Sequence, residues 1–309
     1  MRNAASGIVD KGSGLDMRQG GRVARIRAAV WAVGAAASAL SGGIAPAATY
    51  GYAEPGQIGF QLPVTDIARY IHWLHDDILL PLTVVISLFV LGLLLYVIWR
   101  FSEKSNPTPS RTTHNAALEV VWTIVPVMIL VFIAVPSFRL LTLQLEIPPS
   151  DVTVKVTGEQ WHWTYTYPKD QGDFSFDSFM KDDKDLKPEN GDIRLLSVDN
   201  EAVVPVNKVV RVEVTAVDVI HSFVVQSFGV RVDAIPGRLN ETWFKADRIG
   251  VYYGQCSKLC GQDHAFMPIE FRVVSQDDYQ AWLASAKKKF AAGTDATRVA
   301  DVAAEKTVQ

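Results

Sequence analysis

Cys256 and Cys260 lie four positions apart, His264 follows four positions later, and Met267 three after that, all within the run GQCSKLCGQDHAFMPIEF from Gly254 to Phe271. They are the only two cysteines in the chain, and another imidazole, His221, stands 35 residues ahead of the first of them in an alternating apolar stretch. Thiolate, imidazole and thioether are together the soft donors that select copper. The spacing is not the Cys-x-x-Cys pair of zinc ribbons and redox motifs, and a tight loop can turn Cys256, Cys260 and His264 inward together. A structural disulfide competes with this reading, because an exported domain meets oxidising conditions. A disulfide, however, has no use for histidine and methionine at these intervals. A mononuclear blue-copper site is a second alternative, but it uses one cysteine. Two thiolates, two imidazoles and a thioether suit a pair of bridged copper ions. Such a site has no open coordination position, so its chemistry is electron transfer rather than substrate turnover.

A scaffold must bring His221 to the cysteine loop. From about Asp151 the chain becomes a series of short runs rich in Val, Thr, Tyr and Phe. Val152–Gly158, Trp161–Tyr167, Ile193–Val198, Val209–Val217, Ser222–Val225, Trp243–Lys245, Gly250–Tyr253 and Ile269–Val274 each read as a strand. Turns are marked by Pro188-Glu189-Asn190-Gly191, Pro205 and Pro236-Gly237. Many short strands without intervening amphipathic helices predict a β-sandwich or Greek-key β-barrel. An amphipathic helix is predicted from Asp277 to about Phe290. The small, polar composition after Ala291 predicts disorder.

The first half of the chain reads differently. At 309 residues and 49% hydrophobic, the sequence can bury a core and still supply membrane segments, and a net charge of −3 gives no global pull toward nucleic acid. Arg18, Arg22, Arg25 and Arg27 precede an apolar run from Ala28 to Leu40, with Ala45-Pro46-Ala47 fitting a cleavage site. The run is too short to span a bilayer, so 1–48 reads as a signal peptide or N-terminal extension. Ile78–Trp99 and Val120–Phe138 are uncharged and close to the ~20 apolar residues of a spanning helix. Trp73, Trp99 and Trp122 fall at their ends, where amphipathic rings anchor. The short link between them carries Lys104 and Arg111, which places it in the cytoplasm and both ends of the hairpin outside. Glu119, at the start of the second span, reads most simply as a carboxylate favoured by the helix dipole. The predicted organisation is therefore an N-terminal segment (1–48), a transmembrane hairpin (49–150, spans about 78–99 and 120–138), an exported copper domain (151–275), and a C-terminal helix with a disordered tail (276–309).

The runs GEQWHWTYTYP, DVIHSFVVQSFGVRVDAIPGRLN and VYYGQCSKLCGQDHAFMPI resemble subunit II of the haem–copper cytochrome c oxidases, and the similarity extends over the hairpin. The resemblance implies a membrane-anchored, all-β exported domain with a cupredoxin-like Greek-key β-barrel, carrying the two copper ions of a CuA centre. It implies His221 and His264 as imidazole ligands, Cys256 and Cys260 as bridging thiolates, Met267 as thioether ligand and Lys258 as the source of a backbone carbonyl. Trp161 matches the tryptophan through which electrons arrive from cytochrome c, and Asp173, Asp199 and Asp218 match an acidic docking patch; between Lys169 and Glu201 there are ten acidic residues against five basic. Glu119 matches the mouth of a proton pathway, and Asp233 and Arg238 match residues against subunit I near its haem. The partners implied are subunit I, other oxidase subunits, cytochrome c and the membrane, with no nucleic acid. The location implied is the bacterial inner membrane with the copper domain in the periplasm. At Lys258 the family has a glutamate that helps hold Mg²⁺ or Mn²⁺, and an ammonium repels such an ion, so that site is predicted to be weakened or lost. A membrane-anchored copper chaperone is the alternative function, but it would alternate strands with helices and carry one anchor. A copper-free quinol-oxidase subunit would lack the ligands, and a dicopper domain of nitrous oxide reductase would not need the hairpin.

Overall fold

The computed structural model describes residues 51–305, with side chains as far as Phe290. The predicted signal segment and its Ala45-Pro46-Ala47 site lie outside the described residues.

Two long helices come first. Asp66–Trp73 (α1) passes through a π-helical stretch, Leu74–Leu79, into Leu80–Arg100 (α2), making 35 continuous helical residues; Ala116–Leu145 (α3) has 30. Both are long and apolar enough to cross a bilayer, and no residue of α2 or α3 is buried within the protein. The helices outrun the predicted spans because polar caps extend them past the apolar window. Thr65 Oγ1 accepts from Ala68 N–H at 3.0 Å, and Asn115 Oδ1 accepts from Leu118 N–H at 3.1 Å. Tyr70, ahead of the first apolar window, donates to the carbonyl of Pro136, near the end of the second, at 3.3 Å and ties the two helices together.

Ten strands follow among the described residues: Val152–Glu159 (β1), His162–Tyr167 (β2), Phe174–Ser178 (β3), Ala202–Pro205 (β4), Val210–Ala216 (β5), His221–Val225 (β6), Val230–Ala234 (β7), Asn240–Phe244 (β8), Gly250–Gln255 (β9) and Pro268–Val274 (β10). One sheet has the order β3-β2-β1-β5-β8, a second β4-β10-β9, and β6-β7 form a hairpin. β1 runs parallel to β5 and β10 parallel to β4, while the other pairs are antiparallel. The parallel pairs join strands distant in sequence, which gives the crossovers of a Greek-key sandwich. Strand alternation builds the core. Val152, Val154 and Val156 of β1, Trp163, Tyr165 and Tyr167 of β2, and Val210, Val212 and Val214 of β5 are all buried, and Phe223, Phe228, Phe244 and Phe271 fill the space between the sheets.

Three features depart from the sequence reading. Ile193–Val198 is a turn, with Ser197 N–H donating back to the Ile193 carbonyl at 2.9 Å and Leu195 at φ 68°. A short apolar run has no periodicity to separate a strand from a buried turn. β3, β4 and β7, four or five residues long, were not predicted. The C-terminal helix, Gln276–Glu305 (α4), continues past the predicted stop at Phe290, since its alanine-rich continuation has high helix propensity.

Contacts also run across the predicted boundary at 150. Gly51 pairs with Tyr252 on β9, its N–H donating to the Val251 carbonyl at 2.8 Å. Thr65 donates to the Phe228 carbonyl at 2.8 Å, and Trp243 Nε1 donates to the Leu143 carbonyl at 3.2 Å.

Candidate metal centre

β9 and β10 are antiparallel neighbours, with Gln255 opposite Pro268, so the chain between them closes into one loop whose two ends are fixed by the sheet. Cys256 leaves β9, a 3₁₀ turn from His264 to Phe266 carries the second imidazole, and Met267 returns to β10. β6 starts at His221, and Ser257 N–H donates to the Ser222 carbonyl at 3.1 Å, which fastens the loop to the strand holding the distant histidine. The His221 ring has room because β1 carries Gly158: a Cβ there would lie 3.0 Å from the imidazole. Beneath it, Trp163 meets His221 edge-on at 5.9 Å between centroids and donates Nε1–H to the Met267 carbonyl at 3.1 Å.

These elements bring the soft donors together. Cys256 Sγ and Cys260 Sγ are 3.8 Å apart and both thiols are free. That separation rules out a bond between them in this state, yet one ion can touch both at the ~2.3 Å of a metal–thiolate contact. His221 Nδ1 lies 4.0 Å from Cys256 Sγ, and His264 Nδ1 lies 3.5 Å from Cys260 Sγ, so each thiol has its own imidazole. Met267 Sδ is 3.5 Å from Cys260 Sγ, and the Lys258 carbonyl accepts from Cys256 Sγ at 3.3 Å. Donor atoms of His221, Cys256 and Cys260 fall within 4.8 Å of one another. His221, Cys256, Cys260 and Met267 are buried, and His264 is half-buried.

The electrostatics of the two thiols differ. Burial pushes the Cys256 thiol up, but contacts with His221, the Ser222 backbone, Lys258 and Cys260 outweigh it and bring the group below its ordinary value. Burial and the neighbouring Cys256 charge drive Cys260 above its ordinary value. The pair therefore gives up one proton readily and resists losing the second, and a cation shared by both sulfurs removes that resistance. The donor set, burial and spacing fit a copper centre of the thiolate–imidazole–thioether kind.

Trp161 is half-buried just before β2 and lies over the loop: a Cβ on Gly261, next to Cys260, would come within 2.9 Å of its Cζ2. Trp163, two residues on, is wholly buried. Of the predicted docking carboxylates, Asp199 is exposed and accepts from Phe179 N–H at 2.8 Å, while Asp218 lies beside His221. Asp173 sits at the far end of the β2–β3 hairpin, before Phe174, which pairs with Tyr167 rather than with the Trp163 end. Sequence reasoning passed over Glu159 and Asp177, which lie nearer Trp161 and flank His162 Nε2 at 3.8 Å each. It also passed over Gln160, whose Nε2 donates to the Cys260 carbonyl at 2.8 Å. Asp177 was in the counted acidic stretch; only the hairpin register singles it out. Lys258 Nζ is 3.9 Å from Asp233 Oδ2, and Arg238 is exposed in the β7–β8 turn. Glu119 Oε1 accepts from Asn115 N–H at 3.3 Å, completing a reciprocal cap on α3.

Residues 152–274 match the family described as cytochrome c oxidase subunit II, periplasmic domain, and residues 53–140 match the corresponding transmembrane domain. The chain belongs to the cytochrome c oxidase subunit II family. A probable cytochrome c oxidase subunit 2 of Rickettsia bellii is 50% identical over 246 residues, covering 80% of this chain and 90% of that protein. The subunit 2 of Cereibacter sphaeroides is 48% identical over 253 residues, covering 77% and 82%. The solved periplasmic domain of subunit II of cytochrome oxidase from Bradyrhizobium japonicum is 59% identical, covering 47% of this chain and 99% of that one, with a TM-score of 0.43. As a subunit II, the chain is the electron-accepting component of an oxidoreductase complex. It is membrane-anchored, with its C-terminal domain on the outer side. Its family carries CuA copper, and the His/Cys cluster is able to bind metal.

Proposed function

We propose that His221, Cys256, Cys260, His264, Met267 and the Lys258 carbonyl hold two copper ions, with both thiolates shared between them. The observation that carries this is the convergence of two free thiols 3.8 Å apart, each with its own imidazole, in a buried pocket. When bound, the copper pair supplies a one-electron redox centre. The chain's own residues hold that centre in one geometry, so little rearranges on electron transfer. Ser222 and Trp163 fix the loop from below, and burial keeps water away.

Electrons arrive from cytochrome c over Trp161, which rests against the residue next to Cys260. Asp199 and Asp218, joined by Glu159 and Asp177, form the acidic face that attracts a basic cytochrome, with Asp173 at the far end of the hairpin contributing least; such steering raises association rates and fades with salt. Asp233 and Arg238 face subunit I, to whose haem the electron passes for oxygen reduction coupled to proton pumping. Glu119 stands at the mouth of a proton pathway into subunit I. The hairpin spans the bacterial inner membrane, with the link between its helices in the cytoplasm and the copper domain in the periplasm. Lys258, where the family has glutamate, pairs with Asp233 and leaves the neighbouring magnesium-type site weakened or lost. Manganese quantified in oxidase from cells grown in excess Mn²⁺ is expected to be far below one ion per complex, and full occupancy would contradict the assignment.

Metal analysis and electron paramagnetic resonance of the purified oxidase complex test the copper centre. The expected result is two coppers attributable to this chain, with one unpaired electron spread over both. A hyperfine pattern from a single copper would overturn it. Trp161→Phe is expected to slow electron uptake from cytochrome c while leaving copper content unchanged.

A further inference from the structure

The turn between β5 and β6 carries Asp218, and its carboxylate is committed inward. Oδ1 lies 2.9 Å from His221 Nε2 and accepts Val219 N–H at 2.6 Å. Oδ2 accepts the backbone N–H of Gln160 at 2.7 Å. Gln160 in turn reaches Cys260 through its side chain at 2.8 Å, and the next residue is Trp161. One carboxylate thus touches the buried imidazole, the backbone just ahead of the tryptophan, and, through Gln160, the second thiol's residue. His264 has no carboxylate partner of this kind among the described residues.

We infer that Asp218 is a positioning residue for the metal centre: it holds the His221 ring with Nδ1 toward Cys256, and it locks the Trp161 segment to the same ligand. This rests on the copper reading above. An imidazole whose outer nitrogen donates to a carboxylate has its tautomer and ring orientation fixed, and it becomes a stronger donor to a metal. The same carboxylate fastens the backbone that presents Trp161. Asp218 therefore makes the distance between the electron's arrival point and the buried ligand a single rigid unit. A docking role alone needs no fixed partners for the carboxylate, whereas both oxygens of Asp218 are engaged by His221, Val219 and Gln160.

The two roles separate in one series of variants of the intact oxidase complex. In Asp218→Asn the side-chain nitrogen opposes Gln160 N–H, donor against donor, and the negative charge beside His221 is gone. The expected result is retained copper with an altered electron paramagnetic resonance signature and a raised reduction potential, because the lost charge favoured the oxidised centre. The maximal rate falls by more than KM rises. Asp199→Asn, which removes an exposed carboxylate, gives the reverse split: KM rises, its salt dependence flattens, and the copper spectrum is unchanged. If Asp218→Asn changes only KM and leaves spectrum and potential as they were, the positioning role is overturned. Should Asp218→Asn fail to assemble, Asp218→Glu keeps the charge but displaces it by one methylene. An altered spectrum with unchanged KM supports the inference, and an unaltered spectrum sinks it. Wild-type complex without copper on this chain would instead refute the underlying copper reading, which keeps the two failures distinct.

Discussion

The two ends of the β-sandwich are closed in opposite ways. At one end the strands release loops whose side chains are sulfur, imidazole and carboxylate, and order comes from specific polar contacts such as Ser257 N–H to Ser222 and Trp163 to Met267. At the other, α4 lays Trp282 and Phe290 over Tyr167, Phe174 and Phe176, with stacked or edge-on rings 4.6–6.1 Å apart. β2 runs from one end to the other, from His162 beside the metal loop to Tyr167 beneath the helix. The aromatic end buries area without demanding a precise angle. The metal end buries its sulfurs and the His221 ring and fixes them by specific contacts. Stability and chemistry are thus assigned to different ends of the same strands, and each end can be perturbed with little effect on the other.

The sharpest way to break that separation is at the sulfurs. Cys260→Ser is expected to abolish the two-copper signal and electron uptake altogether while the far-ultraviolet circular dichroism of the complex stays as in wild type. A collapse of the fold would show that the metal end also carries stability. Next in size is Trp282→Ala. It should destabilise the exported domain by about 3 kcal/mol, as large-to-small changes at packed aromatics do, with the copper spectrum intact in the folded protein; thermal denaturation followed beside the copper absorption checks both halves.

Glu270 sharpens the comparison between the ends. It is buried on β10, and burial drives its carboxyl up to about 7, although its Oε2 accepts Val198 N–H at 2.8 Å. Glu201, Lys181, Arg272, Tyr165 and Tyr253 are the charged and titratable groups around it. Its folded-state value is raised above the unfolded one, so its contribution to stability is full below the ordinary carboxylate value and is lost as pH climbs toward about 7. Glu270→Gln should flatten that fall and raise stability at pH 8 by about 2 kcal/mol. A pH–stability curve unchanged by the substitution would contradict it. The smallest effect concerns Asp173. Because it lies at the aromatic end, Asp173→Asn should alter the KM for cytochrome c less than Asp177→Asn does, measured at the same low ionic strength. Equal effects would mean that docking covers both ends.

Much of this molecule was legible in its sequence for physical reasons that differ by region. The hairpin declared itself by continuous uncharged apolar runs of the length that a bilayer requires. The ligands declared themselves because Cys256, Cys260, His264 and Met267 sit on one loop, where spacing alone implies proximity, and His221 joined them as a second imidazole in an alternating apolar stretch, a role the family resemblance also implied. What sequence could not supply was register. The choice of Asp177 over Asp173 as the carboxylate near Trp161 depends on which β3 residue faces which β2 residue, and the inward commitment of Asp218 depends on a turn brought to Gln160 from 58 positions away. Ile193–Val198 misled because six apolar-rich residues suit a strand and a buried turn alike. β4, at four residues, was too short to stand out.

Gly51, finally, bears on the edge of the second sheet. β9 is the outermost strand in the order β4-β10-β9, and the segment ahead of α1 pairs with it at Tyr252, with hydrogen bonds of 2.8 and 2.9 Å on either side. An open edge beside a metal loop is a template on which a second chain can lay a strand. Here Gly51 takes the position beside Tyr252, and β6 backbone packs close to Gly254 further along the strand. The residues ahead of the hairpin therefore do more than lead into it, because one of them, Gly51, is paired backbone to backbone with the strand that carries the cysteine loop.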